Sequence, residues 1–470
     1  MTRESWTGRI GFVLAAAGSA VGLGNLWRFP WMTAENGGSA FLLVYLGIVL
    51  AVGVPGLLAE FVIGRRSQKS PVGALRDLSG SRNWGHVGLL TVVAGLVLLS
   101  FYSVVGGWIL RYFVASPTGA YFDNPGAYFD AISVGPEAAA FHVLFLALTA
   151  GVVYGGVRDG IERATTVMMP IVFIALIGLS VWVSGLSGAS EAYEFYLSFD
   201  LGTVQSSFLD IVLAAAGQAL FTLSVGAGTM ITYASYVGED RSLPADATLV
   251  AVLNTAVGVL AGLVVFPLLF STPGADVETS GPGALFVGVA TAFAELPAGR
   301  LAAVGFFAVV ALAALSSSIS MLEIVVAYLV DERDRSRQQA VLGVGAVVLV
   351  TGTASAFVPP LFNALAGPVV DFVLTTGLFA FVVFTAWVLG GDAVDEFVRG
   401  TQFSSGLADA WRLLVGIVIP PFLAFTLLVG VVGLLDVTLA SWQLGLAGVV
   451  VAGVVVSLVR RTRTEAGTAA

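Results

Sequence analysis

Residues 15–30 read AAAGSAVGLGNLWRFP. They lie inside an apolar run, 10–32, long enough to cross a bilayer as a helix. Near its middle stand Gly22 and Gly24, each costing a helix about 1 kcal/mol relative to alanine, with polar Ser19 and Asn25 beside them. The arrangement recurs in residues 217–236, GQALFTLSVGAGTMITYASY, where Gly226 and Gly228 sit beside Thr222 and Ser224. Small residues let membrane helices approach closely, which explains the glycines but not the adjoining polar groups. Helices broken at matching places in two halves of a chain are instead the strongest sequence pointer to a transporter's binding site.

The rest of the chain demands a membrane. Of 470 residues, 57% are hydrophobic before 57 glycines are counted and only 11% are charged, and the mean hydropathy is +0.94, far outside the globular range. Helix-length runs, rather than alternating segments of about ten residues, exclude an outer-membrane barrel. Apolar spans are read at 10–32, 40–63, 87–114, 138–154, 165–183, 208–237, 248–270, 301–330, 341–358, 370–389, 413–435 and 442–459. Twelve crossings at about 20 residues each use roughly 240 positions and leave no room for a large domain outside the bilayer. The first span ends in Asn25 and Arg28 rather than at a small-residue cleavage site, so it is expected to remain in the mature protein. The expected fold is an all-α polytopic membrane protein occupying 1–470 as a single membrane domain.

Charge orients the chain. With twelve spans both termini share one side, and that side's loops hold every lysine and arginine except Arg28, Arg111 and Arg300, eighteen of the 21. The positive-inside rule makes that side cytoplasmic, in a cell membrane. A formal charge of −9 argues against nucleic acid as a partner. With no cysteine and only His86 and His142, the chain lacks thiol nucleophiles and the usual soft metal ligands, and no GxxxxGK[ST] phosphate loop occurs. An enzyme is not expected. A channel would share broken helices and carbonyl cages, but would pass ions without a coupled solute.

Four stretches carry a more specific likeness: AGSAVGLGNLWRFPWMTAENGGSAF from Ala17, GQALFTLSVGAG from Gly217, ITYASY from Ile231 and ALSSSIS from Ala314. In these residues, in this order, the chain resembles the neurotransmitter:sodium symporter family. The resemblance covers nearly the whole chain. It implies an inverted five-plus-five helix repeat, residues 8–185 and 205–391, with unwound helices 1 and 6, and two accessory helices in 411–460. It also implies sodium-coupled uptake of an amino acid or related amine by alternating access. The physical reading agrees, because an unwound turn frees carbonyls that suit sodium or an ammonium group and N–H groups that suit a carboxylate.

By similarity, one sodium is held by the Ala20 carbonyl, by side-chain oxygens of Asn25, Thr222 and Asn254, and by the substrate carboxylate. A second rests on carbonyls of Gly18, Val21 and Ala313 and on the hydroxyls of Ser316 and Ser317. All are neutral oxygens, fitting a hard monovalent cation. On residues alone, the Ser316–Ser318 run reads as hydroxyls bonding back within their helix. The substrate carboxylate is implied to meet N–H groups of Leu23 and Gly24 and the Tyr102 hydroxyl, and its amine the carbonyls of Ala20, Phe221 and Thr222 and the Ser224 hydroxyl. Leu98, Ala227, Ser317 and Met321 match the side-chain pocket. Ala227 replaces a bulkier residue of some members, which points to a large apolar or aromatic amino acid.

The resemblance also implies gates. Arg28 pairs with Asp371 at the start of span ten above a Phe221 lid, while Arg3 and Trp6 close the inner side with Asp331 and Tyr236. On residues alone, Asp331 reads as a solvated charge in DERDRSR. Glu60 and Glu323 lie inside spans, where acids are functional candidates; Glu60 matches an acceptor for N–H groups freed in span six. Gly258 stands where chloride-dependent members carry serine and the prototype an acid, although Tyr45, Gln218, Thr222 and Asn254 are present. Chloride dependence, proton coupling and oligomeric state stay open.

Overall fold

The computed structural model describes residues 5–198, 201–272 and 283–434. Their regular structure is helical throughout, with no strand among the described residues. This is the outcome lipid imposes on a spanning chain, whose backbone must satisfy its own hydrogen bonds. Nine described helices are long and apolar enough to cross a bilayer: Ser39–Ser67 (α3), Arg82–Ala115 (α4), Pro136–Tyr154 (α5), Val157–Val183 (α6), Leu243–Phe270 (α9), Gly299–Arg333 (α10), Arg337–Phe357 (α11), Pro359–Leu389 (α12) and Ser405–Val432 (α13). The pair Arg9–Ala20 (α1) and Gly24–Glu35 (α2) makes one further span bent by 47°. Where the sixth span is expected, two shorter helices follow one another, Phe208–Thr222 (α7) and Thr229–Ala234 (α8). The twelfth expected span, 442–459, lies outside the described residues.

α1 lies at the centre, against α6, α9 and α10, and is buried from Gly11 to Ala20 except at Leu14. α10 packs along α4 over much of its length, α8 lies on the second half of α3, and α7 lies between α3 and α12. Side chains such as Ile174, Val181, Leu301 and Leu342 stay exposed on the outer faces, where acyl chains are the solvent.

Three helices begin eight or more residues earlier than expected, α13 among them, at Ser405 instead of residue 413. α12 starts at Pro359 instead of residue 370, because Pro359 and Pro360 occupy the first turn, where their missing N–H groups cost nothing. Pro368 is absorbed in a π-helical turn, Leu365–Val369. Asp371 is therefore not at the start of its helix but twelve positions inside it. Likewise α6 begins at Val157 in a π-helical turn carrying Arg158, Asp159 and Glu162, charges that read as loop. At the basic end of the bundle, Arg65 is fully buried and paired with Glu396 of the short helix Gly391–Val398.

Candidate substrate and ion site

α1 stops where its hydrogen-bond ladder is diverted. Val21 is extended, with φ −74° and ψ 108°. The Gly22 N–H donates to Asn25 Oδ1 at 3.1 Å and the Leu23 N–H to the Tyr102 hydroxyl at 2.9 Å, in place of the carbonyls of Gly18 and Ser19. Hydroxyls from other helices come to the released carbonyls. Ser317 Oγ lies 3.5 Å from the Gly18 oxygen, 2.9 Å from that of Ser19 and 3.1 Å from that of Val21. Ser316 Oγ lies 3.2 Å from the Val21 oxygen and 2.9 Å from that of Ala313. Ser318 bonds back to a carbonyl of its own helix, so within the Ser316–Ser318 run the first two members face α1; Ser320 bonds back as well but also accepts the Ser19 hydroxyl at 2.8 Å.

A second set of oxygens meets where α1, α2, α7 and α9 converge. One terminal atom of the Asn254 amide lies 3.1 Å from the Ala20 carbonyl oxygen, 3.0 Å from that of Thr222 and 3.3 Å from Asn25 Oδ1. Asn25 Nδ2 donates to the Asn254 carbonyl at 2.8 Å, and Thr222 Oγ1 is 3.4 Å from Asn254 Oδ1. All four residues are buried. The neutral oxygens gathered at the buried Asn254 amide are of the ligand type a monovalent hard cation takes.

The α7–α8 break has a different cause. Gly226 and Gly228 take left-handed conformations, φ +89° and +75°, and a Cβ on Gly226 would sit 1.9 Å from the Leu374 carbonyl oxygen. Gly22 and Gly24 are not left-handed. They are sites of close approach, since a Cβ on Gly22 would lie 2.1 Å from Ser317 Oγ and one on Gly24 3.0 Å from the Phe221 ring. Packing thus explains the first glycine pair and backbone conformation the second. The Gly226 N–H freed by the break donates to Glu60 Oε1 at 2.6 Å, the acceptor role expected of that buried acid. Ser224, also at positive φ, donates to the Ser19 carbonyl at 3.0 Å and so ties the two breaks together.

Side chains bridge neighbouring elements at both ends of this region. Arg28 Nη1 and Nη2 each donate to one oxygen of Asp371 at 3.0 Å, and the guanidinium lies 4.9 Å from the Phe221 ring centroid. At the opposite end Trp6 Nε1 donates to the Tyr233 carbonyl at 2.9 Å, with the Trp6 ring edge-on to Tyr233 and Tyr236. Asp331 accepts the Ser70 N–H at 2.8 Å. Arg3 lies outside the described residues. Leu98, Ala227 and Met321 are buried, on α4, between α7 and α8, and on α10.

Three further residues find their partners here, and of these only Glu162 escaped the sequence reading. Gln218 Nε2 donates to the Gly24 carbonyl at 2.7 Å, stitching α7 to α2. Glu162 accepts from the Thr7 N–H at 3.0 Å and from the Thr7 hydroxyl, holding the chain just ahead of α1. Glu323 accepts from the Tyr236 hydroxyl at 2.9 Å and from Arg337 Nη2 at 2.5 Å, so its counterion is a residue that read as loop charge. A charge in an apparent loop gives no signal that it will fold back onto an acid fourteen positions away.

Comparison with known proteins agrees with this geometry. The family model described as the sodium:neurotransmitter symporter family matches residues 3–122 and 133–461. An uncharacterized sodium-dependent transporter of Bacillus subtilis is 38% identical over 352 residues, 74% of this chain and 77% of its own length. One of Methanocaldococcus jannaschii is 33% identical over 448 residues, 89% of either chain. The crystal structure of MhsT in complex with L-phenylalanine superposes with a TM-score of 0.83 at 37% identity, covering 91% of this chain and all of that one. The chain belongs to the sodium:neurotransmitter symporter family and is a sodium-dependent membrane transporter.

Proposed function

We propose that this transporter carries a neutral amino acid with a large apolar or aromatic side chain into the cell, together with two sodium ions, by alternating access. The observation that supports the first ion site is the gathering of the Ala20 and Thr222 carbonyls and the Asn25 side chain around the Asn254 amide. An ion there would be completed by the substrate carboxylate, which couples the two cargoes. The second ion would rest on Gly18, Val21, Ala313, Ser316 and Ser317, where hydroxyls of α10 already meet carbonyls of α1. The carboxylate would take the Tyr102 hydroxyl and the N–H groups of Leu23 and Gly24; the amine would take carbonyls of Ala20, Phe221 and Thr222 and the Ser224 hydroxyl.

Substrate size follows from the pocket residues Leu98, Ala227, Ser317 and Met321, of which Ala227 contributes only a methyl. That MhsT, at 37% identity, was crystallised with L-phenylalanine supports the same class. Arg28 with Asp371 would be the outer gate, and Trp6 with Tyr236, Arg3 and Asp331 the inner one. The membrane domain would divide into repeats 8–185 and 205–391 and accessory helices within 411–460, with both termini cytoplasmic. Two sodium ions moving with a zwitterion transfer two charges, worth about 4.6 kcal/mol at 100 mV, or about three decades of accumulation before the sodium gradient is added.

Proteoliposomes with an imposed inward sodium gradient, offered labelled amino acids, test this reading. Saturable accumulation that collapses when sodium is replaced by potassium is expected. Sodium flux without solute accumulation would instead indicate a channel.

A further inference from the structure

A cavity of about 600 Å³ opens at the basic end of the bundle. Its Tyr328 lies eleven positions beyond Ser317 on α10, ~16 Å along the helix axis, so the cavity is separate from the ion and substrate site. Three elements build it: the short helix Pro71–Ser79 with Arg76, the first turns of α4 with Arg82, His86 and Leu89, and the end of α10 with Glu332 and Arg333.

The charges in it do not cancel. Arg76 donates to both oxygens of Glu332, at 2.5 and 3.3 Å, and neutralises it. Arg333 is steadied by two hydrogen bonds to the Tyr328 hydroxyl, at 3.1 and 3.0 Å, which fix its position without neutralising it. Neither Arg82 nor Arg333 is paired with a carboxylate among the described residues. Two uncompensated guanidinium groups beside an imidazole, at the positive end of a 34-residue helix, suit an anion with several acceptor oxygens.

The surroundings select the source of that anion. Arg82, His86, Leu89, Leu90 and Val93 follow one another at helical spacing on a single face of α4. Beyond the two polar positions the apolar ones are 40%, 45% and 48% exposed, so the face runs from cation to acyl-chain environment without interruption. A water-soluble phosphate would use only the upper part of this face. A phospholipid uses all of it.

We propose that this cavity binds the phosphodiester headgroup of an anionic phospholipid from the leaflet at the basic end of the bundle. Arg82 and Arg333 hold the phosphate, and the acyl chains lie along Leu89, Leu90 and Val93.

The test titrates the purified full-length protein in micelles with phosphatidylglycerol, phosphatidylcholine or inorganic phosphate, with bound lipid counted by native mass spectrometry. Saturable retention of phosphatidylglycerol is expected, with neither of the others competing. The double variant Arg82→Gln/Arg333→Gln should weaken phosphatidylglycerol binding about thirtyfold, the sum of two near-surface cations. The charge-keeping Arg82→Lys/Arg333→Lys should retain most of it. Arg158→Gln, an exposed arginine at the start of α6, should leave it unchanged and controls for general surface charge. Equal binding by wild type and the double glutamine variant would overturn the proposal, as would competition by inorganic phosphate at the lipid's own concentration. Should the double variant fail to fold, Arg82→Gln alone decides, with a loss of about fivefold expected.

Discussion

Arg28 and Asp371, 343 positions apart in sequence, meet through two parallel hydrogen bonds of 3.0 Å, with the ring of Phe221 beneath the guanidinium. The Arg28 side chain is 10% exposed and that of Asp371 37%, so the pair is partly screened by water and readily broken. Its fork geometry nevertheless favours one closed arrangement.

Asp371→Asn keeps the shape but removes the charge, and loses about 1 kcal/mol of closure. Uptake should fall about fivefold, with sodium binding at equilibrium little changed. Arg28→Lys should resemble it, because a lysine cannot supply two parallel donors. Uptake kinetics in proteoliposomes alongside sodium-dependent substrate binding in detergent separate the effects; a parallel loss of both would mean the pair holds the fold rather than the gate.

Glu60 and Gly226 give a prediction about stability. The Gly226 N–H is buried and donates to Glu60 Oε1. Glu60→Leu leaves that donor unsatisfied at a cost of about 1–3 kcal/mol. Glu60→Gln retains an acceptor oxygen and should be the milder change. Gly226→Ala should be worse than either, because its Cβ meets the Leu374 carbonyl at 1.9 Å and its φ is +89°. Thermal unfolding followed in detergent should rank the midpoints wild type, Glu60→Gln, Glu60→Leu, Gly226→Ala, and a reversal of the last two would refute the strain argument.

Much of this arrangement was legible in the chain, and the parts that were not have physical reasons. The bilayer forces helix-length apolar runs, so most spans could be read within a few residues of their observed ends. Proline misled at α12, since Pro359, Pro360 and Pro368 look like loop punctuation yet sit in a first turn and a π-helical turn. The glycine pairs located both breaks but concealed their difference, because the neighbours that crowd Gly22 and Gly226, Ser317 and Leu374, are remote in sequence. Arg65 was counted among loop cations although it is buried against Glu396, 331 positions away. A pair so distant leaves no periodicity to read.

Trp6, assigned to the inner gate by the proposed function, is held by its Nε1 bond to the Tyr233 carbonyl and by contacts with two tyrosine rings. Trp6→Ala removes these and should favour opening on that side. The natural absence of cysteine makes this directly measurable. A single cysteine at Thr165, buried beside Gly18, should react with a water-soluble maleimide at least tenfold faster in the Trp6→Ala background, and sodium should slow the reaction. Equal rates with and without Trp6 would place the seal elsewhere.

Gly258 bears on the anion requirement. A Cβ built there meets Asn25 Nδ2 and Phe29 only at 3.7 Å, ordinary contact, so a small side chain fits. The buried Tyr45 hydroxyl and Gln218 Oε1 have no hydrogen-bond partner among the described residues. Gly258→Ser should therefore fold normally and, by restoring the hydroxyl of chloride-dependent members, make sodium-driven uptake rise with chloride when gluconate is exchanged for it. Uptake indifferent to chloride in the serine variant would remove this site from the coupling scheme.

Ala227, to which the proposed function assigns selectivity, lies in the α7–α8 break and is almost wholly buried. A leucine there adds a branched side chain to the space assigned to the substrate's own. One methylene in an apolar pocket discriminates by about 1–3 kcal/mol, so Ala227→Leu should weaken phenylalanine relative to alanine by at least tenfold. The change should appear in competition for uptake while the sodium dependence keeps its steepness, since the ion site proposed around Asn254 would be built from other residues. If the order of competitors is the same in both proteins, Ala227 does not face the substrate, and the preference for large side chains must be sought at Leu98 and Met321.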